Sequence, residues 1–187
     1  MKTWELSVII VIIVVVAVVV VIYQSSYILI KSKIDGRTYK VKNNELAQKS
    51  ADSLAHININ LLNLKTYIQG LPNPPEYAQR LNRFNPNTIS ENIFNIDTTY
   101  TINKGESMYF CLGSREELEL YDLNTMLYVA IHELAHVVSI DIGHGDEFKK
   151  NFASLLRHAI EIDMYKYVDY TKNPQEYCGI NITKNII

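Results

Sequence analysis

A chain of 187 residues that is 48% hydrophobic and 20% charged, with a formal net charge of −2, describes on average one near-neutral globular domain. The balance of 18 Lys+Arg against 20 Asp+Glu excludes a large surplus for neutralising phosphates, so no direct nucleic-acid partner is expected. Two cysteines, Cys111 and Cys178, with no CxxC pair, exclude a disulfide-dense scaffold and a thiolate zinc knuckle, and read as two thiols in a reducing compartment.

The average conceals two unlike segments. From Leu6 to Ile30 there is no charged residue, and Leu6 to Ile22 reads LSVIIVIIVVVAVVVVI. At about 1.5 Å per residue, lengths of 17 to 25 residues bracket a hydrocarbon core of roughly 30 Å. Val and Ile would favour a strand in water, but a single segment in lipid satisfies its backbone only as a helix. A transmembrane anchor is therefore expected over residues 1–30. A cleaved signal peptide is the rival, disfavoured by the sparse n-region of Met1, Lys2 and Glu5 and by the lack of an A-x-A-like site. The following flank carries Lys31, Lys33, Arg37, Lys40 and Lys42 against Asp35, which by the positive-inside rule places the rest of a single-pass membrane protein in the cytosol. The sequon Asn181-Ile182-Thr183 would be usable only in the opposite orientation.

Residues 31–43 read as a basic juxtamembrane linker with a short strand at Arg37–Lys42. Leu46, Ala47, Ala51, Leu54, Ala55, Ile57, Leu61, Leu62, Leu64 and Ile68 recur at spacings of three and four, predicting an amphipathic helix over 44–70. Gly70-Leu71-Pro72-Asn73-Pro74-Pro75 ends it. Residues 76–95 read as a short helix and a loop. Runs at Asp97–Ile102 and Ser107–Leu112, joined by Asn103-Lys104-Gly105-Glu106, predict an antiparallel hairpin. A second helix is expected from about Asn124 to Ser139, and a third from Asp146 to Met164 with Phe148, Phe152, Leu155, Leu156, Ala159 and Ile162 inward. The tail carries Tyr167, Tyr170 and Tyr177 around Pro174, with a turn at Gly179. The fold class is thus α+β: a transmembrane helix, then a compact domain over 44–187.

The chemistry concentrates in the second helix, which contains His132-Glu133-Leu134-Ala135-His136. A spacing of four on a helix puts both imidazoles on one face, one turn apart, where they can bind the same Zn2+. Glu133 lies beside such a metal without ligating it, the place of a general base acting on a zinc-activated water. A catalytic zinc needs a third protein ligand and an open position. His144 supplies it in Gly143-His144-Gly145, where glycines let the chain turn back. Asp146 and Glu147 are rivals for that third place. His56 and His158 stand alone on expected helices and read as ordinary structural histidines; Asp141 is a guess for a group that orients a ligand. The strand at Tyr109–Leu112 reads either as core or as an edge for an extended substrate. Tyr170 and Tyr177 are weak candidates for oxyanion stabilisation.

At HELAH and GHGDEF the chain resembles the zincin metallopeptidases, specifically the WLM and SprT-like group, over about residues 105–160. More loosely, Cys111-Leu112, Asn124–Ala130 and Tyr177-Cys178-Gly179 look like membrane-anchored relatives encoded by large DNA viruses. The resemblance implies a zincin-like fold, zinc ligation by His132, His136 and His144, and acid/base work by Glu133. Members of the group cleave proteins crosslinked to DNA through basic binding regions, which this chain lacks. The expected function is a membrane-anchored zinc endopeptidase acting on a protein or peptide. The alternatives are a structural or virion component with a non-catalytic zinc, and a DNA–protein-crosslink protease.

Overall fold

The computed structural model describes residues 3–93, 98–114 and 119–187. Asp97, at the start of the expected strand, and Asn95, at the end of the expected loop, lie outside these. The helices are α1 (Thr3–Ser25), α2 (Ala47–Gln69), a 3-10 helix (Glu76–Arg83), α3 (Leu123–Val138) and α4 (Asp146–Glu161). The strands are β1 (Tyr27–Lys31), β2 (Thr38–Lys42), β3 (Ile89–Glu91), β4 (Tyr100–Ile102), β5 (Ser107–Phe110), β6 (Gln175–Tyr177) and β7 (Ile180–Ile182).

The N-terminal segment corrects the expected transmembrane anchor. The helix ends at Ser25, and Tyr27–Ile30, counted above as the weaker end of the span, run instead as β1, antiparallel to β2. The apolar side chains of residues 8–22 of α1 stand mostly exposed. Among the described residues no helix is long and apolar enough to cross a membrane. The single-pass localisation, and the cytosolic placement that followed from it, fall with the anchor. Three of the basic residues after it belong to a sheet: Lys31 is on β1, Lys40 and Lys42 are on β2, and Lys40 Nζ lies 3.8 Å from the centre of the Tyr27 ring.

The domain is α+β, but its sheet is larger and more mixed than a hairpin. Five strands run in the order β1-β2-β3-β5-β4. The outer pairs are antiparallel, while β3 is parallel to both β2 and β5, with Ile89 opposite Met108. A parallel neighbour requires a crossover, and α2 with the 3-10 helix supplies it between β2 and β3. The expected hairpin forms as β4 and β5, Tyr100 opposite Tyr109 with their rings stacked 5.0 Å apart. Its turn holds Asn103, Lys104 and Gly105 at φ of 46, 55 and 107°. At Gly105 an added Cβ would sit 2.8 Å from the Arg83 carbonyl oxygen, so only glycine passes there.

The three-and-four spacing of α2 builds the centre of the core. Leu54, Ile57, Leu61, Leu64 and Ile68 are fully buried, against β1–β3 on one side and α3 on the other. Ile131, Leu134 and Val137 of α3 join them, so the helix with the HExxH residues is wedged between α2, α4 and β4. Asp122 caps α3, its carboxylate accepting from Thr125 N at 3.0 Å.

The thiol reading is also overturned. Cys111, just past β5, and Cys178, between β6 and β7, are disulfide-bonded with Cα atoms 6.4 Å apart across 67 residues of sequence. Two cysteines far apart in sequence carry no framework signal, so spacing alone could not pair them. The bond is of the kind that persists in oxidising surroundings, which removes the cysteines as support for a reducing compartment.

Candidate metal and active site

The one-turn offset on α3 places His132 and His136 side by side, and the chain then reverses through Gly143 (φ 87°) to bring His144 to them. The three Nε2 atoms form a nearly equilateral triangle: His132 to His136 3.2 Å, His136 to His144 3.1 Å and His144 to His132 3.1 Å. Three imidazole nitrogens facing one another repel unless a proton or cation lies among them. A triangle of this size places each nitrogen within about 2.0–2.1 Å of a point roughly 1 Å off its plane, the Zn–N distance, so the donor set fits zinc. His132 and His136 are kept neutral, the form that ligates. Burial lowers His132 to about 3, helped by His136 and His144, and burial lowers His136 to about 4, with His144 and Lys104 adding.

Phe148 organises the cluster. Its ring packs against His136, His144 and His132 with centroids 4.3, 4.7 and 4.9 Å away, and Phe152 sits 5.2 Å from His132. The loop carrying His144 is tied from both sides. Glu147 accepts from Ile140 N (2.9 Å) and Asp141 N (3.1 Å) and lies 3.4 Å from Arg80 Nη2. Lys104 Nζ donates to the carbonyls of Ser139 and Asp141. Glu147 is thus engaged in holding the loop and Asp146 pairs outward with Lys149 at 3.8 Å; among the described residues the group that could hold a metal ion comprises the three histidines. Asp141 contributes main-chain groups to this loop.

Glu133 is 5% exposed, and its Oε2 accepts from Thr101 Oγ1 at 2.7 Å. Burial pushes its carboxyl up to about 7 against the lowering effect of that hydrogen bond. A cleft of about 690 Å3 runs between Thr99–Lys104 and the three histidines with Glu133. Its strand wall is β4, the sheet's edge. Of the two readings of Tyr109–Leu112, core strand or substrate edge, the edge is the one that fails: β5 is interior, between β3 and β4. The remaining candidates stand apart: His56 is exposed on α2, and His158 pairs with Glu161 at 2.8 Å. Tyr170 is packed against Tyr128 and Tyr165. Tyr177 is closed in a ring: Cys111 N donates to Thr99 Oγ1, which donates to Tyr177 Oη, which donates to Cys111 O at 2.6 Å.

Thr101, Phe148 and the Cys111–Cys178 bond are the parts sequence reasoning did not assign to the site. A signal existed for two of them: the alternation of Thr99 and Thr101 puts both on one face of β4, and Phe148 follows His144 by four residues across a helix start.

No family model matches the chain, and no solved structure matches it. Among curated proteins it is 33% identical over 170 residues, 88% of this chain and 85% of the relative, to "Uncharacterized protein R325" of Acanthamoeba polyphaga mimivirus. It is 38% identical over 111 residues (59% of this chain, 65% of the relative) to "Uncharacterized protein 042R" of Invertebrate iridescent virus 3. It is 31% identical over 126 residues (62% and 68%) to "Uncharacterized protein 136R" of Invertebrate iridescent virus 6. The chain, with its three-histidine cluster, therefore belongs to the family of the mimivirus protein R325.

Proposed function

We propose that this protein is a zinc-dependent endopeptidase that hydrolyses an extended protein or peptide. The observation that carries the reading is the triangle of His132, His136 and His144 Nε2 atoms, with the Glu133 carboxylate in the cleft beside it. A zinc ion held by the three imidazoles supplies Lewis-acid polarisation of a water and of a scissile carbonyl.

The chain's own groups do the rest. Thr101 Oγ1 holds Glu133 Oε2, so Glu133 takes a proton from the attacking water on Oε1 and passes it to the leaving amine. A near-neutral carboxyl suits both halves of that transfer, because acceptance and release are then closely matched. The main chain of the substrate lies along β4, whose outer edge offers backbone hydrogen bonds. The resemblance to the WLM and SprT-like group supports the metal chemistry; its DNA-linked substrates lack a counterpart in the even charge balance of this chain.

Metal analysis of the purified protein, together with Glu133→Gln, tests the reading. One equivalent of zinc is expected, with zinc content unchanged and cleavage of a denatured protein abolished in the variant. A protein without zinc, or a variant as active as the wild type, overturns it. A fourth protein ligand on the bound zinc would mark a structural site instead.

A further inference from the structure

Building on the peptidase reading, we infer that the tail hairpin is a specificity element: β6–β7, stapled by Cys111–Cys178, walls a pocket beside Glu133 that takes one apolar side chain of the substrate and keeps its shape while the disulfide is intact.

The pocket has a volume of about 300 Å3 and joins the main cleft at His132, Glu133 and Ile180. One wall is α3, through Tyr128 and Val129; the other is the hairpin, through Tyr177, Ile180 and Ile182. Thr98, Thr99, Asn181, Thr183 and Lys184 also line it, but most of its surface comes from apolar atoms, so an opening of this size next to the general base favours a side chain such as Leu or Phe.

The wall is not part of the main sheet. β6 and β7 pair only with each other, three residues each, and an isolated two-stranded hairpin is marginal in water. Its position comes from tethers near Cys178: the disulfide, the Tyr177 hydroxyl ring, and Cys178 N donating to Tyr121 Oη at 2.8 Å. Further on, Ile182 packs against the core and Asn185 Oδ1 accepts from Tyr170 N. β7, which carries Ile180 and Ile182, leads from the Cys178 tethers to these contacts. Cys178 and Gly179 both adopt left-handed backbone at φ of 50 and 81°, a turn that Cys178 pays for in strain and that the covalent bond holds. A dithiol reductant breaks the Sγ–Sγ bond by supplying two electrons and two protons, leaving two protein thiols and the reductant as a cyclic disulfide. With the covalent tether gone, β7 is held at that end by hydrogen bonds alone, so the apolar wall loosens while the histidine cluster, on α3 and the loop before α4, does not.

The test uses the full chain and the isoleucine methyl signals of Ile180 and Ile182, titrated with leucinamide, phenylalaninamide and glycinamide. Leucinamide and phenylalaninamide are expected to bind at least tenfold more tightly than glycinamide. Reduction with dithiothreitol, verified by a two-proton mass increase, weakens them at least fivefold at unchanged zinc content. Ile180→Asp, at a half-exposed position that leaves the fold and disulfide intact, does the same. Equal binding of glycinamide, equal affinity in the reduced protein, or an unaffected Ile180→Asp overturns the proposal. None of these readouts requires turnover, so loss of the peptidase reading through zinc content or Glu133→Gln shows separately.

Discussion

Replacing both Cys111 and Cys178 by Ser removes a cross-link that closes a loop of 67 residues. In the chain-entropy account, a loop of that length restricts the unfolded ensemble by about 4.4 kcal/mol at 25 °C. The hydrogen bonds that Tyr177 and Tyr121 make around the staple survive the substitution, so outside the β6–β7 hairpin the folded state changes little and most of the loss falls on the unfolded side. For a chain of this size that is a fall of about 10–15 °C in Tm. Guanidinium unfolding should show a lower midpoint and a steeper slope, because an unstapled chain exposes more surface when it unfolds. Wild-type protein unfolded with a dithiol present should reproduce the variant. A loss below about 1 kcal/mol refutes the loop-closure argument. So does a variant much less stable than reduced wild type, since the damage would then come from the serines and not from the lost closure.

Thr101→Val removes the hydrogen bond to a buried carboxylate, an interaction in the range of about 1.5–3 kcal/mol; kcat should fall about tenfold or more while zinc content stays constant, read by steady-state kinetics beside metal analysis. Glu147→Gln weakens the hold on Ile140 and Asp141, so zinc affinity measured by competition with a chelator should fall about tenfold, the lower end for groups that position ligands. Glu91, 4% exposed beneath β2, accepts from Lys42 N at 2.9 Å, and burial raises its carboxyl above the ordinary 4.5. A raised carboxyl stabilises the fold at pH below its unfolded value and loses that contribution as pH rises through the folded one. Glu91→Gln should therefore gain in Tm relative to wild type from pH 5 to 8, with the gap narrowing towards pH 4; a gap independent of pH would show that Glu91 does not titrate across folding.

What could be read from the sequence follows the range of the interactions involved. α2, α3 and α4 are legible within a few residues because a helix encodes its own period: Leu54, Leu61 and Leu64 face inward whatever they meet there. His132, Glu133 and His136 are legible for the same reason, and His144 because Gly143 advertises the reversal that returns it to α3. Pairings made across the fold leave no such trace. β2 and β5 are legible as strands, but β3, three residues long, and its parallel pairing with both of them are not, and Thr101 becomes a partner of Glu133 only once β4 lies against α3. The N-terminal misreading has the same origin. Hydropathy averaged through Ile30 cannot register that Tyr27–Lys31 finds five partners in Thr38–Lys42, and once those hydrogen bonds form the helix must stop at Ser25. Cys111 and Cys178 are the limiting case, each ordinary in its own neighbourhood and informative only as a pair. The residues that would bear the proposed metal chemistry are thus local and readable, whereas those that would select a substrate, Ile180 and Ile182 opposite Val129, are set by tertiary contacts, and only a structure places them beside Glu133.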